Sequence, residues 1–285
     1  MMAMEAHASR QQSDLGEQPF DRWITADGLV AAEFYRRGPQ AFLIRFPDQA
    51  DFEIALGNSQ VKAFPLPDLS SAALDTLYRN SILPIIGNHA GGLNLHGSAV
   101  AMGAGEGEGA LAFMGLSRRG KTTLAGAFAA AGHPFLSEDT VALERSGEHY
   151  LVQPMRPVLR VFHDSAHFLL GQAPDWDDED SKSEVDASGL LPFADRPAPL
   201  RHIFLLGPGE AHRVVITRLG EVEALAQLMQ QAFVLDVEDK PRLRAHFERV
   251  AILAAKVPCH LLDYPRRYDH LPQVIAAIEA FSVRE

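Results

Sequence analysis

The stretch Gly115-Leu116-Ser117-Arg118-Arg119-Gly120-Lys121-Thr122 decides how this chain is read. It is glycine, four residues, then Gly-Lys-Thr. In a loop of that pattern the backbone N–H groups cradle a polyphosphate. The lysine reaches the β- and γ-phosphates, and the last hydroxyl holds Mg²⁺. The flanks agree with the motif. Ala110–Met114 is a short apolar run, as a buried strand should be, and Thr122–Ala131 is Ala-rich and reads as a helix. The helix N-terminus adds partial positive charge to the phosphate site. ATP and Mg²⁺ are therefore the expected cofactors. Gly115, Ser117, Arg118, Arg119, Gly120, Lys121, Thr122 and Thr123 are the expected nucleotide-binding residues. Ser117 has two readings, a hydroxyl on a phosphate or a cap on the turn. Arg118 and Arg119 either contact phosphate oxygens or face solvent.

Outward from the loop, Leu95–Met102 reads as a strand, and the Gly-rich 103–109 as a turn back into 110–114. Thr140–Glu144 and Tyr150–Gln153 alternate around Ser146-Gly147 and read as a second hairpin. Two hairpins so close together exclude a purely parallel sheet, so a mixed sheet is expected. Residues 20–67 are strand-like, with Leu69–Ser81 a following helix. The expected layout is a disordered leader at 1–18, a β-rich N-terminal domain at 19–88 and an α/β catalytic domain at 89–285 with a helical C-terminal part. Residues 172–189 are acidic and punctuated by Gly and Pro. They read as a solvated surface loop or as a flap over the site.

Ser137-Glu138-Asp139 ends a short strand one helix after the loop. Sites in α/β sheets gather at the carboxyl ends of strands. Two adjacent carboxylates there can divide the work, one holding Mg²⁺ and one taking a proton from an attacking hydroxyl. Thr122 and Asp139 are the expected metal ligands; Glu138, His96 and Asp139 are the expected catalytic residues. His96 precedes Gly97, a pair that permits close backbone approach. Arg156, Arg160, Arg266 and Arg267 are candidate anion clamps.

Composition bounds the rest. The 285 residues are 47% hydrophobic, enough for one large domain or two modest ones. A formal net charge of -11 argues against nucleic acid as a partner. No apolar run approaches the ~18 residues of a membrane helix. Cys259 is the single cysteine, so no intrachain disulfide forms, and a reducing, cytoplasmic setting is expected.

The ordered set His96-Gly97-Ser98-Ala99-Val100, the phosphate loop, Gly132-His133 and Ser137-Glu138-Asp139-Thr140-Val141 resembles the catalytic core of HPr kinase/phosphorylase. Over most of residues 20–280, including Leu159-Arg160-Val161 and Tyr264-Pro265-Arg266, the chain looks most like the HPr-kinase-like proteins encoded with lasso-peptide biosynthesis. The resemblance implies a mixed-sheet kinase core that transfers the ATP γ-phosphate to a serine hydroxyl. It implies that Glu138 is the base, Asp139 the second carboxylate and His96 the nearby histidine. It further implies a peptide acceptor, the C-terminal serine of a lasso precursor, and a homo-oligomer. An HPr-type protein acceptor and a non-catalytic ATP-binding regulator are the alternatives. The chain departs from the family at Glu138, where the family has Asp, and at Arg118, where it has Gly. If position 118 needs φ > 0, arginine there costs on the order of 1 kcal/mol.

Overall fold

The computed structural model describes residues 3–25, 28–103, 108–171 and 182–284. The chain divides into two units, Met1–Ala90 with Val234–Leu243, and Gly91–Phe233 with Arg244–Glu285.

In the first unit, six strands form one sheet: β1 (Ala3–Ala6), β2 (Asp21–Ile24), β3 (Val30–Gly38), β4 (Ala41–Phe46), β5 (Ala50–Ala55) and β6 (Gln60–Pro65). Their order is β1-β6-β5-β4-β3-β2, antiparallel except for β1 on β6. Alternation sets the register. Phe42 lies opposite Ile54 and Ile44 opposite Phe52, all buried. A continuous helical stretch follows: α1 (Ser71–Leu77), a π turn at Tyr78–Ile82, and α2 (Leu83–His89). Ser70 caps it by accepting from the Ala73 N–H at 3.1 Å.

The leader is not free of this sheet. Ala3–Ala6 pairs with Gln60–Ala63. Arg45 and Asp51, neighbours across β4 and β5, form a buried two-bond ion pair (2.8 and 2.9 Å). Gln12 donates to Asp51 (2.9 Å) and to the Phe46 carbonyl (3.0 Å), and Arg45 donates to the Ser13 carbonyl (2.8 Å). The buried pair needs these extra polar partners, and the polar leader supplies them. That corrects the expectation of disorder at 1–18. Residues 234–243 also belong to this unit, through Arg36 on Asp236 (2.6 Å) and Arg242 on the His89 carbonyl (2.9 Å).

The second unit holds β7 (Leu93–Met102), β8 (Gly109–Met114), α3 (Lys121–Ala130), β9 (Phe135–Ser137), β10 (Thr140–Ser146), β11 (His149–Val152), β12 (Val158–Val161) and α4 (His163–Leu170). It continues through β13 (Ser183–Asp186), β14 (Ala198–Leu206), β15 (Val215–Arg218), α5 (Glu221–Met229), α6 (Lys240–Lys256, from Arg244 onward), β16 (Cys259–Asp263) and α7 (Leu271–Ser282). The main sheet runs β11-β10-β7-β8-β14-β16-β15, with β9 also on β7. Strands β8, β14 and β16 are parallel to one another. The β7–β8 and β10–β11 pairs are antiparallel hairpins, so the sheet is mixed, as the two-hairpin pattern requires. The fold class is α/β.

Strand β8 shows why the sheet lies between two apolar layers. Leu111 and Phe113 join Leu124, Phe128, Val274 and Ile278 on one side. Ala110, Ala112 and Met114 join Leu228, Val250 and Leu253 on the other. The period of two thus feeds both layers, and the whole strand is buried. Helix α3 is small-residue rich because it packs closely: a Cβ at Gly126 would lie 2.6 Å from Leu169 of α4.

Residues 183–186, expected within an irregular acidic stretch, form β13 on β12. Val185 is the buried residue of that strand and lies opposite Leu159. One apolar position among acidic neighbours left no visible alternation. Residues 172–181 of the surface-loop or flap reading, and 104–107 of the glycine-rich turn, lie outside the described residues. No helix among the described residues is long and apolar enough to cross a membrane.

Candidate active site

The carboxyl ends of β8, β14 and β16 share one edge of the sheet, and the Gly115–Thr122 loop leaves from the first of them. Gly115 has φ 135 and Gly120, capping α3, has φ 85. Arg118 also has positive φ, at 62. The position does demand the left-handed region, so the arginine carries a backbone cost on the order of 1 kcal/mol. Its guanidinium lies 5.8 Å from the Phe162 ring centroid. Lys121 is buried, and its Nζ donates to the Gly115 carbonyl (2.8 Å) and the Leu116 carbonyl (3.1 Å). Burial, then the charge of Lys182, pulls its pKa down to about 8.

The acidic turn follows β9. Thr122 Oγ1 donates to Glu138 Oε1 at 2.8 Å. Asp139 has φ 59, and its carbonyl accepts from the Gly97 N–H (3.3 Å) and from His96 Nδ1 (2.9 Å). A carbonyl only accepts, so Nδ1 carries the proton in the neutral ring. Register explains the placement of His96, because it lies opposite Thr140 in the β7–β10 ladder. Burial, then Lys121, depresses its pKa to about 4, so the ring is neutral at physiological pH.

The two carboxyls are pushed apart. Burial, then the Asp139 charge, raises Glu138 well above the ordinary glutamate value. Burial would also raise Asp139. The positive charges of His96 (when protonated), Lys182 and Arg160, with a hydrogen bond from Glu138, outweigh it and hold Asp139 low. Arg160 Nη1 stands 3.7 Å from Asp139 Oδ2. Of the two, Glu138 is therefore the one that holds a proton more tightly.

Lys121, Thr122, Arg160 and Lys182 border a cavity of about 790 Å³, whereas Glu138, Asp139 and His96 lie behind its wall, joined to it through Thr122 and Arg160. Arg118, Gly120, Lys121, Thr122 and Thr123 of the expected set line it, with Arg160. Gly115, Ser117 and Arg119 are not on its wall. Ser117 is exposed, and Arg119 donates to the Gly207 carbonyl at 3.3 Å. Arg156 pairs with Glu184 (3.5 Å) and Arg267 with Asp269 (2.8 Å). Arg266 lies over Tyr264, 3.8 Å from its ring centroid, and donates to the Gly207 carbonyl (2.8 Å). Arg266 and Arg267 instead border a smaller cavity of about 130 Å³ that shares Arg118, Gly120, Thr123 and Tyr268 with the larger one.

The sequence reading missed Phe162, Asp164, Ser165, Lys182 and Tyr268 on the main wall. Hydroxyls link three of the segments: Thr123 to Ser165 at 3.2 Å, and Ser165 to Tyr268 at 3.0 Å. The weak signal available was Lys182, the one cation in the acidic run 172–189.

The donor set suits Mg²⁺. It offers a hydroxyl and two carboxyls, all oxygen. No group of three or more His, Cys, Asp or Glu able to hold a metal ion exists among the described residues. Magnesium is held by one or two carboxylates plus substrate phosphates rather than by an all-protein cage.

No family model matches the chain, and no curated protein matches it. Among solved structures, the HPr(Ser) kinase/phosphatase from Coxiella burnetii matches at 9% identity with a TM-score of 0.37, over 66% of this chain and 91% of that one. A likeness of that size leaves the functional reading to the site's own geometry.

Proposed function

We propose that this protein is an ATP- and Mg²⁺-dependent phosphotransferase that moves the γ-phosphoryl group to a serine hydroxyl of a peptide. One observation carries the reading: the Thr122–Glu138 hydrogen bond, which brings the acidic pair onto the phosphate loop. Lys121 would exchange its two loop carbonyls for β/γ-phosphate oxygens. Thr122 and the acidic pair would hold Mg²⁺, which supplies charge neutralisation at the phosphates. Asp139, ionised and next to Arg160, takes the serine proton as the Ser O–P bond forms and the bond from γ-phosphorus to the ADP oxygen breaks. Glu138, whose carboxyl burial holds above the ordinary glutamate range, sits against Thr122 and would join the metal side by giving up its proton as Mg²⁺ binds. The family resemblance had implied the base role for Glu138; the site's electrostatics favour Asp139. His96 acts through the Asp139 carbonyl, as a positioning residue.

The acceptor rests on the resemblance, which points to a precursor peptide ending in serine. A reducing, cytoplasmic setting fits the buried thiol of Cys259, and a homo-oligomer belongs to the same reading. Incubation with ATP, Mg²⁺ and a serine-terminated peptide should add about 80 Da, seen by mass spectrometry. An HPr-type protein in a parallel reaction tests the alternative acceptor. Nucleotide binding with no transfer to either would leave a regulatory ATP binder and overturn the phosphotransferase.

A further inference from the structure

We propose that Lys182 is a catalytic cation that contacts the transferred phosphoryl group, alongside the phosphate-loop Lys121. The inference rests on the phosphotransferase reading above. Lys182 comes from outside the loop. It precedes β13, whose Ser183 lies opposite Val161 at the end of β12, and that ladder holds it beside Phe162. Its ammonium lies 5.7 Å from the Phe162 ring centroid, and the Arg118 guanidinium lies 5.8 Å from the same centroid. Both cations line the cavity that Lys121, Thr122 and Arg160 also line.

Among the described residues neither Lys182 nor Arg118 makes an ion pair. The carboxylate on that wall, Asp164, is engaged locally by the Ser165 N–H at 2.7 Å. Arg160 is already matched to Asp139. Two like charges held on one ring with no carboxylate in ion-pair contact repel each other, and an anion placed between them relieves that repulsion. A phosphoryl group in flight spreads its charge over three oxygens, and catalysis of its transfer is mostly charge stabilisation and positioning. The charge of Lys182 also reaches the phosphate-loop and acidic groups: it lowers the pKa of Lys121 and His96 and favours the ionised forms of Glu138 and Asp139.

The test compares wild type with Lys182→Gln and Lys182→Arg. Three quantities are read: affinity for a non-hydrolysable ATP analogue with Mg²⁺, single-turnover transfer to a saturating serine-terminated peptide, and affinity for ADP with aluminium fluoride, which mimics the phosphoryl group in transit. Lys182→Gln should hold the ATP analogue within about threefold of wild type. It should lose about 10²–10³-fold in turnover and the extra tightness for the fluoride complex. Lys182→Arg should recover turnover to within about tenfold, because the charge is kept. Turnover of Lys182→Gln within about threefold of wild type overturns the proposal, as does a loss confined to the peptide KM or an equal loss of ATP-analogue affinity. These outcomes leave the phosphotransferase reading standing. A wild type that binds neither the ATP analogue nor the fluoride complex overturns both.

Discussion

At the residue scale, the site turns on two neighbouring carboxyls whose pKa values are shifted in opposite directions. If Asp139 is the base, Asp139→Asn should lower turnover by about 10²–10⁴-fold while nucleotide affinity changes little. Glu138→Gln should weaken mainly the Mg²⁺ dependence, measured by titrating the metal at fixed ATP. The same pair predicts a pH effect on stability. Glu138 binds its proton more tightly folded than unfolded, so its contribution is complete below 4.5 and is lost as pH rises through the folded value. Glu138→Gln should therefore gain on wild type in urea midpoint as pH rises above 4.5. His96 works in the other direction. Its folded pKa of about 4 lies below the ordinary 6.5, so its contribution is complete above 6.5. As pH falls towards 4 that contribution declines, by up to about 3 kcal/mol. Replacing His96 with Asn should flatten that acid limb, and an unchanged slope would show the ring to be more solvated than it is here. Lys121→Ala should abolish measurable nucleotide binding by calorimetry, since its ammonium is the cation buried within the loop.

At the scale of elements, the site depends on how closely β7 lies on β8. A Cβ on Gly97 would stand 2.8 Å from the Phe113 carbonyl oxygen and 2.9 Å from Met114 Cγ. Backbone cannot give way as a side-chain tip can, so Gly97→Ala must push the strands apart. We expect a loss of about 1–3 kcal/mol in urea unfolding. Turnover should fall too, because His96 and the Gly97 N–H are the partners of the Asp139 carbonyl. The hairpins and the loop helix were legible as sequence patterns, since β8 is uniformly apolar and glycines bound the turns. Strand β13 was not, because a four-residue strand with one buried side chain carries no period to read.

At the scale of the whole molecule, the first unit is pinned by charge. Asp51→Ala would strand the buried Arg45 guanidinium, a change that costs about 3–5 kcal/mol. Denaturation should show that loss in the unit holding residues 3–25 and 28–90. Calorimetric nucleotide titration of the still-folded protein should be unchanged, since no residue of the candidate site lies in that unit. The attachment of 234–243 to this unit was invisible beforehand. It depends on Arg36 meeting Asp236, residues far apart in the chain.

The sequence by itself determined the glycine-bounded loop at Gly115–Thr122, the strand and helix that bear it, the mixed sheet, and the acid pair one helix downstream. Each of these is local chemistry, carried by glycine spacing, apolar period and turn residues within a few positions. Only the tertiary structure decided which acid meets Thr122 and which faces Arg160, and it alone brought Lys182 to the cavity. Those outcomes hang on the register of Thr140 opposite His96, on the left-handed turn at Asp139, and on a ladder between β12 and β13. Pairing between distant strands sets such distances, and no short window of residues encodes them.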